Sequence, residues 1–181
     1  MKWLNFEIND DHFLAIANQK NYTNYEIKSA IYVWDSNYRQ FTHFNYLETT
    51  GASDLIFAKI EGKEMEKSSS SKKVLRPNRK INKREVQAED LQFLIAANFY
   101  NGITTNLHSI IYKLDQYGMN SDFIPYQFLP TKGAIDVEIF KIKPESNLLP
   151  ERIFIAFAEA QDIPPIDSKI SEYNTAFGRF T

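Results

Sequence analysis

Apolar positions in this 181-residue chain fall in short runs broken by polar and turn-forming residues, a rhythm that predicts mostly strands. Residues 25–34 partly alternate and are rich in Ile, Val and aromatic side chains. After a polar turn at Asp35, Ser36 and Asn37, the positions Phe41, Phe44, Tyr46 and Leu47 mark another strand, and Thr49, Thr50 and Gly51 end the pattern. The run 55–60 is apolar almost throughout, as expected of a strand covered on both faces, and stops at Glu61-Gly62. Leu91, Phe93, Leu94, Ile95 and Phe99 mark a further strand. Residues 123–129, interrupted by Pro125, lead to Ile135, Val137, Ile139 and Lys141 alternating with Asp136, Glu138 and Phe140, the period of a half-buried strand. Residues 152–160, RIFIAFAEA, form another, reached through Leu149-Pro150 and left through Asp162, Pro164 and Pro165.

Two segments carry helical spacing instead. Leu107, Ile110, Ile111 and Leu114 sit at i, i+3, i+4 and i+7, with Thr104 or Thr105 as N-cap and Gly118 as a stop, which predicts a helix. Ile170, Tyr173 and Phe177 recur at the same spacing behind Asp167 and Ser168, which predicts a second, C-terminal one. Short strands with turns between them plus one or two helices give a mainly β (α+β) expectation: a single domain over 1–181, an antiparallel sandwich or jelly roll. No βαβ rhythm and no internal repeat of useful length is visible at this level.

Charge changes the picture more than composition does. The stretch 67–84, KSSSSKKVLRPNRKINKR, holds eight basic residues, Lys67, Lys72, Lys73, Arg76, Arg79, Lys80, Lys83 and Arg84, and no acid. The rest of the chain holds thirteen basic residues against twenty-three acidic ones, so the net charge of −2 hides a segment of about +8 within a body of about −10. With four consecutive serines, Pro77 and few bulky apolar residues, this stretch cannot offset the cost of ordering, and is expected to be an exposed loop or arm. Its cations suit a nucleic-acid backbone, an acidic protein partner, or a second copy of the chain in a homo-oligomer. It lacks interleaved aromatics for stacking on bases. A solvated loop is the plain alternative.

The chain has no cysteine, which removes disulfides, thiolate metal sites and a thiol nucleophile. No window approaches the apolar length of a spanning helix, and the start, MKWLNFEINDDHF, does not read as a signal peptide; the expectation is no membrane and a cytoplasmic or virion-associated location. Asn21-Tyr22-Thr23 matches a glycosylation acceptor by chance in that setting. Phosphate-loop, dinucleotide, zinc-helix and serine-elbow motifs are absent, so no cofactor and no catalytic residue is assigned. His12, His43 and His108 show no metal-ligand spacing. Glu61-Gly62-Lys63 has the ExK form of metal-dependent nucleases, but pairing Glu61 with Asp54 along an extended strand separates them by about 23 Å on opposite faces. A solvated strand end accounts for Glu61 and Lys63. Asp136 and Glu138 share a strand face, as like-charged pairs on polar faces often do.

Three segments carry a family resemblance: Asp136-Val-Glu-Ile-Phe-Lys-Ile-Lys-Pro144, Leu149-Pro-Glu-Arg-Ile-Phe-Ile-Ala-Phe157 and Tyr173-Asn-Thr-Ala-Phe-Gly-Arg-Phe180. Together they resemble a string in the jelly-roll major capsid proteins of Polinton-type elements and related double jelly-roll viruses. Leu107-His108-Ser109-Ile110 is similar to the helix that follows the early strands there. The chain is too short for two jelly rolls. The resemblance implies a structural role, self-association without catalysis, and the alternative is a binding module acting through the basic arm.

Overall fold

The structure, a computed structural model, describes residues 1–22, 24–61, 90–115, 122–145, 149–160 and 168–181. The basic stretch 67–84 with all eight of its cations, and Lys63, lie outside the described residues. Regular structure among the described residues is entirely β. The first sheet comprises β1 (Lys2–Ile8), β2 (Asp11–Ala17), β3 (Ser29–Asp35) and β4 (Gln40–Leu47). The second comprises β5 (Ala52–Ile60), β6 (Leu91–Asn98), β7 (Asn106–Asp115) and β8 (Asp122–Lys132). The third comprises β9 (Ala134–Ile142), β10 (Arg152–Glu159), β11 (Lys169–Asn174) and β12 (Arg179–Phe180). Each is an antiparallel meander whose strands pair in chain order. A jelly roll interleaves strands distant in sequence, so the jelly-roll topology does not hold, whereas the mainly β, face-packed character does.

Both helix expectations give way to strands. In β7, Ile110, Tyr112 and Leu114 enter the core between the first and second sheets, while Ile111 enters the core between the second and third. A strand buried on both faces is apolar at consecutive positions, and four such positions also fit a helical stripe. In the C-terminal segment, Tyr173 of β11 faces the core and Ile170 does not; Phe177 lies in the turn before β12.

The sheets stack face to face, with the first strands β1, β5 and β9 side by side. Four-stranded meanders repeated around a shared line of first strands have the arrangement of consecutive propeller blades. Phe6 of the first blade stacks on Phe13 at 5.3 Å and on Phe57 of the second at 4.7 Å. Full burial of each such Phe, Ile or Leu contributes about 1.5–3 kcal/mol.

Strand register reveals a threefold internal repeat that the linear sequence conceals. Lys2 pairs with Ala17, Asp54 with Ala97 and Asp136 with Ala158; Phe6 pairs with Phe13, Ala58 with Phe93 and Phe140 with Phe154. Ala15 pairs with Ile31, Ile95 with Ile111 and Ala156 with Ile170. These fixed points align FLAIA (13–17), FLIAA (93–97) and FIAFA (154–158), and then SAIYVWD (29–35), SIIYKLD (109–115) and SKISEYN (168–174). The expectation of no repeat fails because the period is broken. Two residues join β1 to β2, but thirty lie between β5 and β6, and the basic stretch is among them.

Candidate interaction surface: the inner rim and the end faces

Each blade repeats one small polar kit. In the first blade, Ser29 Oγ accepts from Asn18 N–H (3.1 Å) and lies 2.8 Å from Thr49 Oγ1, which donates to the Ile27 carbonyl (2.9 Å). In the second, Ser109 Oγ accepts from Asn98 N–H (3.2 Å) and lies 2.9 Å from Thr131 Oγ1. In the third, Ser168 Oγ accepts from Glu159 N–H (3.4 Å). These hydroxyls satisfy backbone groups where one strand hands over to the next, as buried polar groups require.

Two residues after each threonine comes a glycine, Gly51 with φ +55° and Gly133 with φ +66°. Gly51 N–H donates to the Tyr25 carbonyl and its own carbonyl accepts from Phe99 N–H; Gly133 does the same with Thr105 and Ala160. A Cβ on Gly51 would stand 2.0 Å from the Tyr100 carbonyl oxygen, and one on Gly133 2.7 Å from that of Ala160. Backbone closeness and left-handed φ both demand glycine. The shared string is Thr-x-Gly-Ala-x-Asp, read as 49–54 and again as 131–136. That string, 82 residues apart, is the signal that would have exposed the repeat and its aspartates.

The aspartates stand on the inner rim. Asp54 is fully buried: Oδ1 accepts from Leu55 N–H (2.7 Å), and Oδ2 accepts from Val137 N–H of the next blade (3.2 Å) and from Lys2 Nζ (2.7 Å). Lys2 Nζ also donates to Asp136 at 2.9 Å, so one ammonium from the first blade ties the second and third. Burial, with the Asp136 carboxyl beside it, pushes the Asp54 pKa above its ordinary value. Asp136 is held below its ordinary value by the Asp54 carboxyl and by Lys2. Burial works against the Lys2 charge, but its bonds to Asp54 and Asp136 prevail and raise it. Sequence reading weighed Asp54 and Asp136 separately and missed Lys2, since nothing in a linear scan joins residues 2, 54 and 136.

The same register exposes what the two end blades leave uncovered. Ile31 and Ile111, which face the following blade, are 0% exposed, whereas their equivalent Ile170 is 63% exposed. Leu55 and Val137, which face the preceding blade, are 3% and 2% exposed, whereas their equivalent Trp3 is 58% exposed. Phe140 and Ile142 on the third blade, and Trp34 and Phe41 on the first, are exposed in the same way. A shallow depression of about 270 Å³ on the first blade is lined by Asn5, Glu7, His12, Trp34 and Phe41 among others.

The remaining sequence candidates do not converge. His12 lies 2.9 Å from Glu7, His43 rests against Tyr46, and His108 offers its carbonyl to Asn98. Glu61 follows the end of β5. No group of three or more His, Asp or Glu suited to a metal ion occurs among the described residues. Nor is any described helix long and apolar enough to cross a membrane. The segments of the capsid resemblance fall on β9, β10 and the β11–β12 hairpin of the third sheet.

No protein-family model matches the chain. Over 110 residues, 61% of this chain, it is 30% identical to a human protein described as thrombospondin-type laminin G domain and EAR repeat-containing protein, and 28% identical to the mouse protein of that description. The chain spans about an eighth of the length of these relatives.

Proposed function

We propose that this chain is a non-enzymatic assembly module, a run of propeller blades that acts by protein–protein association through its blade faces. One observation carries the reading: register equivalents of residues buried at the internal joints are apolar and exposed on the outer sheets, Trp3 and Trp34 on the first and Phe140, Ile142 and Ile170 on the third. Isolated exposed apolar residues are ordinary, but a contiguous apolar sheet face marks a contact surface. The relatives are described as repeat-containing, and a match of 110 residues is longer than the 52 positions that separate Lys2 from Asp54, so it extends beyond one blade. Self-association without turnover is also what the capsid resemblance implies. Residues 67–84 join as an electrostatic arm, because their eight cations are set into an acidic body.

Light scattering behind size exclusion, over a hundredfold range of concentration, tests the reading. Association that grows with concentration supports it, and a strict monomer over the whole range sinks it. Repeating the series from low to high salt, with and without residues 67–84, isolates the arm. A salt dependence unchanged by the deletion removes the arm from the assembly.

A further inference from the structure

We propose that the inner rim is a proton-binding device: Asp54 and Asp136 hold one proton between them on mild acidification, and its uptake steadies the joint between the second and third blades. It needs no second copy, because every part lies within one chain.

Geometry carries it. Lys2 Nζ stands 2.7 Å from Asp54 Oδ2 and 2.9 Å from Asp136 Oδ1, so two carboxyls share one ammonium. With all three groups ionised, the cluster keeps one negative charge that nothing in it pairs. Among the described residues, the charged side chains acting on Asp54 are Lys2 from β1 and Asp136 from β9, while β6, paired with β5, sets the uncharged Ala97 opposite Asp54. The Asp54 side chain is fully buried, whereas that of Asp136 is 56% exposed, so the unpaired charge costs most on Asp54. A proton therefore settles on Asp54, which donates it to Asp136, and Asp136 stays ionised and keeps Lys2. Carboxyls coupled in this way titrate as a pair. Their opposite shifts agree with that division: burial and then the Asp136 carboxyl push Asp54 up, while Asp54 and then Lys2 hold Asp136 down.

The device sits at the second joint. Asp54 Oδ2 accepts from Val137 N–H of the third blade at 3.2 Å, a bond that crosses the joint. At the first joint the register equivalent of Asp54 is Lys2, an ammonium that cannot accept from a backbone N–H. Leu55 N–H, the equivalent of Val137 N–H, donates to Asp54 Oδ1 instead (2.7 Å). Because the folded pKa of Asp54 lies above its ordinary value of 3.8, the folded chain binds more protons than the unfolded one in the window between them. The rim's contribution to stability therefore rises as pH falls from neutral through the raised pKa, and levels off at 3.8. Each unit between the two values is about a tenfold change in the unfolding equilibrium constant.

Urea unfolding of the full chain between about pH 8 and about pH 4.5 tests the device against Asp54→Asn, which cannot take up the proton. Groups elsewhere titrate alike in both chains, so their difference isolates the rim. The urea midpoint of the unaltered chain is expected to gain on that of Asp54→Asn as pH falls; a loss, or a constant difference, overturns the proposal. NMR of the unaltered chain decides the matter even if Asp54→Asn does not fold. The Asp54 carboxyl and the Val137 amide proton should titrate together, with a midpoint that moves down in Asp136→Asn and up in Lys2→Met. A Val137 amide that does not follow Asp54, or an Asp54 midpoint unmoved by Asp136→Asn, overturns the shared proton.

Discussion

The second blade and its two neighbours follow one plan, yet only the second has both faces covered. Its β6 is buried at every position from Gln92 to Asn98, whereas β2 and β10 bury alternate positions. The same alignment column therefore holds a core residue in one blade and a surface residue in another. What a residue contributes to this fold is set by whether a further blade lies against it, as expected of repeat architectures stabilised at nearest-neighbour interfaces.

Substituting equivalent positions measures that difference. Ile111→Ala should cost about 2–5 kcal/mol in urea unfolding of the monomer, while Ile170→Ala should cost under about 0.5 kcal/mol. Equal costs would mean the two faces are equally covered. Asp54→Ala should cost about 3 kcal/mol, because two backbone donors and Lys2 lose a buried acceptor. Asp136→Ala, an exposed ion pair in the monomer, should cost about 0–1 kcal/mol. Ser109→Ala should cost about 1–2 kcal/mol through the lost Asn98 and Thr131 bonds, against a smaller loss for Ser168→Ala, whose bond is longer.

The smallest and sharpest effect concerns pH. Lys2 lowers the pKa of Asp54 while burial raises it, so Lys2→Met should raise it further, a shift read directly by side-chain carboxyl NMR titration. An acid whose folded pKa exceeds its unfolded value weakens the folded state above that pKa and has no effect below the unfolded value. Asp136, held low in part by Lys2, loses some of its stabilising shift in the same variant. Both effects have one sign: the deficit of Lys2→Met should be full at neutral pH, lose its Asp54 share as pH falls through the raised Asp54 pKa, and lose its Asp136 share only as pH falls below the ordinary carboxyl value of 3.8. A deficit independent of pH would detach Lys2 from the pair.

Much of the strand content was legible from the sequence. The expectation that 55–60 is covered on both faces was borne out in β5, and strands were borne out at 135–141 in β9 and 152–160 in β10; the alternation expected in β9 holds at Val137 and Ile139, while Ile135 stands exposed. The 107–114 segment misled because burial on both faces erases period two, and β-branched Ile110 and Ile111 were the cue for strand. The repeat was hidden by the length of the β5–β6 connection and by substitutions such as Lys2 for Asp at the rim. The exposed apolar faces were least legible, since Trp3 and Ile170 look like ordinary core residues until the register shows which face they occupy.

Both tryptophans of the chain, Trp3 and Trp34, stand exposed on the open face of the first blade. Their fluorescence therefore reports directly on the claim that this face is a contact surface. Raising the protein concentration should shift their emission to the blue and protect it from acrylamide. Emission and quenching that stay constant with concentration would contradict it.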